Sequence, residues 1–184
     1  MFRPPVALGC AAAVVVCALV VLAFVFFVVF LGGGTSSDVV TLNSADSYAP
    51  GTVTYSGDHN IYVVRLASVG FIILADMDEA NRESTTRKCR VQPLKPDDEN
   101  LLPLTQKYAS QMSPDAQSTT FLFQEACNGA VYDITGVRLD APGPNLARYS
   151  STVSSGGKLE VDMRSRRCTQ REGDDPFAPI TCGP

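Results

Sequence analysis

The chain has no tryptophan and a single histidine, His59. That histidine lies in Ser56-Gly57-Asp58-His59-Asn60, a turn-like stretch that predicts an exposed hairpin residue rather than a catalytic base. Ser-His-Asp catalysis has no supporting nucleophile motif such as G-x-S-x-G. The sequence also lacks a phosphate-binding glycine loop and any cysteine and histidine spacing of the zinc type. Outside one apolar segment there is no helix of convincing amphipathic length, and no internal repeat. An enzyme working through this chain alone is not expected.

Charge is absent from one long run. Val6 to Leu31 spans 26 residues without a charged or strongly polar side chain. As a helix rising about 1.5 Å per residue it would reach roughly 39 Å, enough to cross a ~30 Å hydrocarbon core with some tilt. A cleaved signal peptide would have an apolar region of only about 7 to 15 residues ending in a small-x-small site. The sequence therefore predicts a transmembrane helix over 6–31, carrying Cys10 and Cys17. Arg3 precedes it, and no positive charge follows until Arg65. This bias places residues 1–5 in the cytoplasm and the C-terminal domain on the external, periplasmic side of a bacterial cytoplasmic membrane, in a single pass. Gly32-Gly33-Gly34-Thr35-Ser36-Ser37 opens a flexible linker over 32–50.

Residues 35–184 hold 14 Lys+Arg, the full 15 less Arg3, against all 19 Asp+Glu, a net charge of −5. That balance argues against nucleic acid or anionic lipid as a partner of this part. It suits a basic partner. Strand-forming runs begin at Val53 and are clear over Ile61 to Leu66 and Phe71 to Leu74. Others are expected at Thr119 to Phe123, Ala130 to Asp133 and Val137 to Leu139. A last hairpin joins Tyr149 to Val153 with Leu159 to Met163 through Ser154-Ser155-Gly156-Gly157. The class is all-β with one membrane helix. Pro93 to Ser118 is polar and proline-containing, with room for one short helix at Leu104 to Met112.

The stretch Glu125-Ala126-Cys127-Asn128-Gly129-Ala130-Val131-Tyr132-Asp133 resembles the second cluster-binding box of Rieske iron-sulfur proteins, C-P-C-H-G-S-x-Y-D. Cys127, Gly129, Tyr132 and Asp133 match it. Ile134-Thr135-Gly136 stands where the family has a tight turn, and Ala141-Pro142-Gly143-Pro144 where it has its proline loop. Ser84-Thr85-Thr86-Arg87-Lys88-Cys89 has the length of the first box, C-T-H-L-G-C. The resemblance spans roughly residues 51–163, with 93–118 read as an insertion. It implies a Rieske-like antiparallel β domain.

Carried over residue by residue, the ligand positions are Ser84, Thr86, Glu125 and Asn128, and the family's inter-box disulfide falls on Cys89 and Cys127. A Rieske centre needs two thiolates and two imidazoles. None stands at the four ligand positions, and one chain with one histidine cannot supply the set. Ala130 also replaces a serine whose hydroxyl bonds a cluster sulfur. No cofactor is expected. The four oxygen-bearing side chains could at most hold a hard cation weakly, with one carboxylate among them. The N-terminus has no twin-arginine pair, which agrees with export of a chain carrying no cofactor.

Beyond the resemblance, Cys168 and Cys182 bracket an acidic, proline-containing stretch in the C-terminal extension, 164–184. Four external cysteines allow three pairings, and the family supports the bond between Cys89 and Cys127. A Cys168 to Cys182 bridge would then close the extension.

These readings imply a cluster-free accessory or structural subunit of a membrane electron-transfer complex, docked among integral membrane subunits, with a c-type cytochrome as one candidate partner. The alternative is a freestanding envelope binding module on the same scaffold. On the first reading, deleting residues 94–117 would weaken assembly while leaving the domain folded.

Overall fold

In a computed structural model, residues 38–66, 70–86 and 88–183 are described. The segment expected to span the membrane, 6–31, and the first linker residues, 32–37, lie outside them. Among the described residues no helix is long and apolar enough to cross a membrane.

The strands are β1 (Val39–Ser44), β2 (Thr52–Ser56), β3 (Ile61–Leu66), β4 (Gly70–Ala75), β5 (Val91–Pro93), β6 (Leu122–Glu125), β7 (Val131–Asp133), β8 (Arg148–Val153), β9 (Lys158–Glu172) and β10 (Asp175–Ile180). Two short helices interrupt them, α1 (Glu79–Glu83) and α2 (Leu101–Tyr108). One antiparallel sheet runs β1-β9-β8-β4-β3-β2, with β10 also on β9, and a second runs β5-β6-β7. The domain is mostly β, as expected.

The pattern of β3, Ile-Tyr-Val-Val-Arg-Leu, explains its place in the middle. Successive side chains leave a strand on opposite faces, and here both faces are covered. Tyr62, Val64 and Leu66 enter the main core with Leu122, Phe123 and Tyr132, whereas Ile61 and Val63 enter a second core with Leu159 and Val161. On β4, Leu74 and Ile73 divide in the same way. Tyr62 ties the sheets together. Its ring lies 4.9 Å from that of Phe123, and its hydroxyl donates to the Val91 carbonyl at 2.8 Å.

The stretch expected to be linker up to residue 50 contains β1, where Val40 pairs with Val161 and Leu42 packs on the second core. Its Val-Val-Thr-Leu pattern outweighs the glycine-serine composition just before it. At the other end, β9 continues from Lys158 to Glu172 and turns at Gly173 into β10. The boundary expected at 163/164 therefore falls inside one strand, and the extension is a hairpin rather than a plain loop. Two strand expectations shift. Thr119 bonds back to the Ala116 carbonyl and stays in a turn, so β6 starts at Leu122. Over Val137 to Leu139 there is one isolated bridge, Tyr132 with Arg138, flanked by bonds from the Asp133 N–H to the Val137 carbonyl and from the Leu139 N–H to the Val131 carbonyl, while the Arg138 N–H donates to Asn145 Oδ1.

The stretch 93–118 departs most from expectation. Its helix, α2, begins at Leu101, and Pro103 sits in the first turn, where the missing N–H would have had no helical partner. Leu101, Tyr108, Met112 and Ala116 are all buried in the main core. Ser113 is 1% exposed, its N–H donating to Asp133 Oδ2 at 2.8 Å and its hydroxyl 2.8 Å from that of Thr135. The segment is a wall of the domain.

Asp133 organises the turn that follows β7. Its other oxygen accepts from the Thr135 N–H (2.8 Å), the Thr135 hydroxyl (2.7 Å) and the Val137 N–H (3.1 Å). The turn closes at Gly136 with φ 87°, and a Cβ there would lie 2.9 Å from Leu74 Cδ2 and 3.2 Å from Leu146 Cβ. Left-handed backbone and lack of room both require glycine.

Candidate functional site

Box one begins where α1 ends. Asp78 caps the helix, accepting the Asn81 N–H at 2.7 Å, and Ser84 stands at its C-cap in extended conformation. Box two is the turn between β6 and β7. The boxes meet because β5 pairs with β6, Val91 opposite Glu125, and the Ala126 N–H donates to the Arg90 carbonyl at 3.1 Å. Cys89, 5% exposed, and Cys127 are disulfide-bonded across this contact, with Cα atoms 5.8 Å apart. Cys168 and Cys182 form the second disulfide, with Cα atoms 5.2 Å apart.

Ser84, Glu125 and Asn128 line one cleft of about 240 Å³, together with Asp78, Asn81 and Arg138. Three of the four positions that the resemblance matches to cluster ligands thus converge. Thr86 does not line the cleft, but its N–H donates to Ser84 Oγ at 3.3 Å. His59 lies apart, half-buried in the β2–β3 turn.

Glu125 is 2% exposed and turned back on its own loop. Oε1 accepts the Cys127 N–H at 2.7 Å and Oε2 the Asn128 N–H at 2.6 Å. A buried carboxylate is tolerable only with such donors, and charge-assisted bonds of this length are strong. The carboxylate therefore acts as an internal anion that shapes the box-two turn. Both of its oxygens are engaged by the turn's own N–H groups.

The donor atoms of Cys89, Cys127 and Glu125 all lie within 4.8 Å of one another. The two sulfurs are bonded to each other, so neither is a thiolate ligand. The cluster implied by the family needs two thiolates and two imidazoles. Hydroxyls at Ser84 and Thr86, an amide at Asn128 and an engaged carboxylate at Glu125 do not fit it.

Two cleft residues, Asp78 and Arg138, carry structural roles that the motif reading missed. Asp78 uses its second oxygen to accept the Tyr132 hydroxyl at 3.1 Å. Arg138 pairs with both oxygens of Asp140, at 3.1 and 3.2 Å, and Asp140 Oδ1 also accepts the Val131 N–H at 3.0 Å. Burial would raise the Asp140 pKa, but the bonds from Arg138 and Val131 outweigh it and hold the carboxyl below its ordinary value. The signal for Asp78 was legible: Asp-Glu-Ala-Asn-Arg-Glu is a helix-capping sequence.

Two predictions arise here. The 38-residue separation of Cys89 and Cys127 puts the expected cost of a Cys89→Ser/Cys127→Ser variant at about 4 kcal/mol in the chain-entropy model. Equilibrium urea unfolding reads it, and a loss below about 1 kcal/mol would show the bridge to be dispensable.

The second concerns alkali. Burial, reinforced by Tyr55 and Asp76, pushes the Tyr62 hydroxyl up to about 12, and burial with Asp78 likewise pushes Tyr132 up. Unfolded tyrosines titrate near pH 10. Above that pH the unfolded chain releases protons that the folded chain keeps, so stability falls as pH rises beyond about 10. Tyrosinate absorbance should show Tyr62 and Tyr132 ionising only as the fold is lost, and burial beside Asp76 raises the Tyr55 hydroxyl as well. Reversible ionisation of all six tyrosines near pH 10 in the folded protein would contradict this.

The described fold and site thus define a mostly β domain whose two motif boxes are joined by a disulfide around a carboxylate-filled turn. No family model and no curated protein matches the chain. Among solved structures it is similar to a Mycobacterium tuberculosis protein described as an NADH-dependent nitrite reductase small subunit. The identity is 15%, covering 67% of this chain and 92% of that one, with a TM-score of 0.35.

Proposed function

We propose that this protein is a cluster-free, Rieske-like accessory subunit of a membrane electron-transfer complex, respiratory or photosynthetic, acting by docking rather than by redox chemistry. One observation carries the reading. At the box-two turn the scaffold cysteine keeps its disulfide, while the preceding ligand position is Glu125, whose carboxylate binds the turn's own N–H groups. The loop is held by protein atoms in an arrangement that needs no cluster.

In this account residues 6–31 lie in the bilayer among integral membrane subunits, with the N-terminus inside. The β domain braces the external face. Its acidic surface suits a basic partner, with a c-type cytochrome as the candidate. The alternative, a freestanding envelope binding module on the same scaffold, draws on a second, larger cleft of about 520 Å³ beside α2.

Gentle detergent extraction from native membranes, followed by identification of every co-migrating subunit and a visible spectrum of the band, tests the choice. Fixed stoichiometry with haem-bearing, quinone-binding or pigment-bearing membrane subunits is expected. Migration alone and without chromophores would replace the accessory reading with the binding module.

A further inference from the structure

The cleft of about 520 Å³ is bounded by α2, the Ala141–Gly143 segment of the proline loop and the β9–β10 turn. In a domain that carries an excess of five acidic residues, its lining is basic: Lys107, Arg138 and Arg171, against the single carboxylate of Asp140. Asp174 in the β9–β10 turn and Asp175 at the start of β10 follow but do not line it.

The cations come from three separate elements and are held in place. Arg138 is fixed by its two bonds to Asp140. It lies so close to the Gly143 backbone that a Cβ there would sit 2.9 Å from Nη1. Arg171 is anchored by a bond to the Gln111 carbonyl, and Lys107 Nζ rests over the Tyr108 ring, 4.8 Å from its centroid. Since Asp140 neutralises one cation, the lining retains a net charge of about +2. Guanidinium groups held in this way suit phosphate or carboxylate groups, and the volume falls within the usual range for small-ligand pockets.

We infer that this cleft binds a small, soluble organic anion bearing more than one phosphate or carboxylate group. The inference stands apart from the docking account, because it concerns the cleft beside α2 rather than that of Ser84, Glu125 and Asn128, although Arg138 borders both, and it needs no membrane partner.

Isothermal titration calorimetry of the full chain in non-ionic detergent at low salt tests it, with inorganic pyrophosphate and citrate as probes. Short-chain phosphatidic acid is a third titrant, to separate a lipid headgroup from a soluble anion. Saturable one-site binding of pyrophosphate or citrate is expected. A Lys107→Ala/Arg171→Ala variant should weaken it by at least about tenfold, since bonds to charged groups contribute strongly. Lys158→Ala, an exposed cation outside the cleft, should leave it within about twofold, and raised salt should weaken it.

Both substitutions of the double variant are at exposed side chains, so circular dichroism should report an unchanged fold. Absence of saturable heat for both soluble probes up to about 10 mM, or equal affinity in the double variant, would overturn the inference. Binding of phosphatidic acid alone would overturn its assignment to a soluble anion.

Discussion

Replacing Asp133 with alanine is expected to cost about 3–5 kcal/mol, a large share of the ~5–15 kcal/mol that holds a domain of this size together. The carboxylate is fully buried and accepts four bonds, from the Ser113, Thr135 and Val137 N–H groups and from the Thr135 hydroxyl. Alanine would leave these donors buried without that acceptor. It would also remove a counter-charge from Arg148, whose guanidinium donates to the Thr135 carbonyl at 3.1 and 2.5 Å and lies 4.1 Å over the Phe177 ring. Burial lowers the Arg148 pKa, and Asp133, with Asp115, opposes that. Asp133→Asn keeps the shape but offers one acceptor oxygen to four donors, so it should also destabilise. Urea midpoints with unchanged slopes would measure both losses. A loss under about 1 kcal/mol in Asp133→Ala would contradict the role assigned to this residue.

Deleting residues 94–117 should abolish cooperative folding, a larger effect than that of the Asp133 substitutions. The sequence alone suggests an insertion that could be removed with the domain intact. The structure places Leu101, Tyr108, Met112 and Ala116 in the main core and gives Ser113 to Asp133. Emptying the site of one buried leucine or methionine typically costs about 2–5 kcal/mol, and the deletion empties several such sites while stripping a donor from a buried charge. Circular dichroism melting should show no cooperative transition. A sharp transition near the full-length midpoint would restore the picture of a detachable insertion. For mapping a docking surface, substitution at exposed positions such as Leu102, 59% exposed, is the suitable test.

How far the sequence could be read depended on whether a signal was local. The runs of β3 and β4 stand out because both faces of each strand are covered, leaving hydrophobic stretches that no turn interrupts. Cys127, Gly129, Tyr132 and Asp133 are visible as a motif, and the Cys89–Cys127 bond that its resemblance implies is present. What the Asp133 side chain does was not legible, since its partner Ser113 lies 20 residues away in a segment that reads as polar loop. Glu125 illustrates the same limit. Read as a free carboxylate it is a candidate ligand, and only the folded turn shows both oxygens bound to backbone N–H groups. The cleft of Lys107, Arg138 and Arg171 could not be anticipated, because its cations are brought together by three elements far apart in the chain. The β9–β10 hairpin was hidden by Pro176 and Pro179, which read as loop; a hairpin strand at a sheet margin can accept proline where the missing N–H is not needed.

The most direct test of the central claim is the iron and acid-labile sulfide content of the protein purified from its native source, with a low-temperature electron paramagnetic resonance spectrum of the reduced sample. The donor chemistry of Ser84, Thr86, Glu125 and Asn128 predicts negligible iron and no mixed histidine-cysteine cluster signal. About two irons per chain with that signal would contradict the account, and would mean that cluster ligands reach this domain from a second chain.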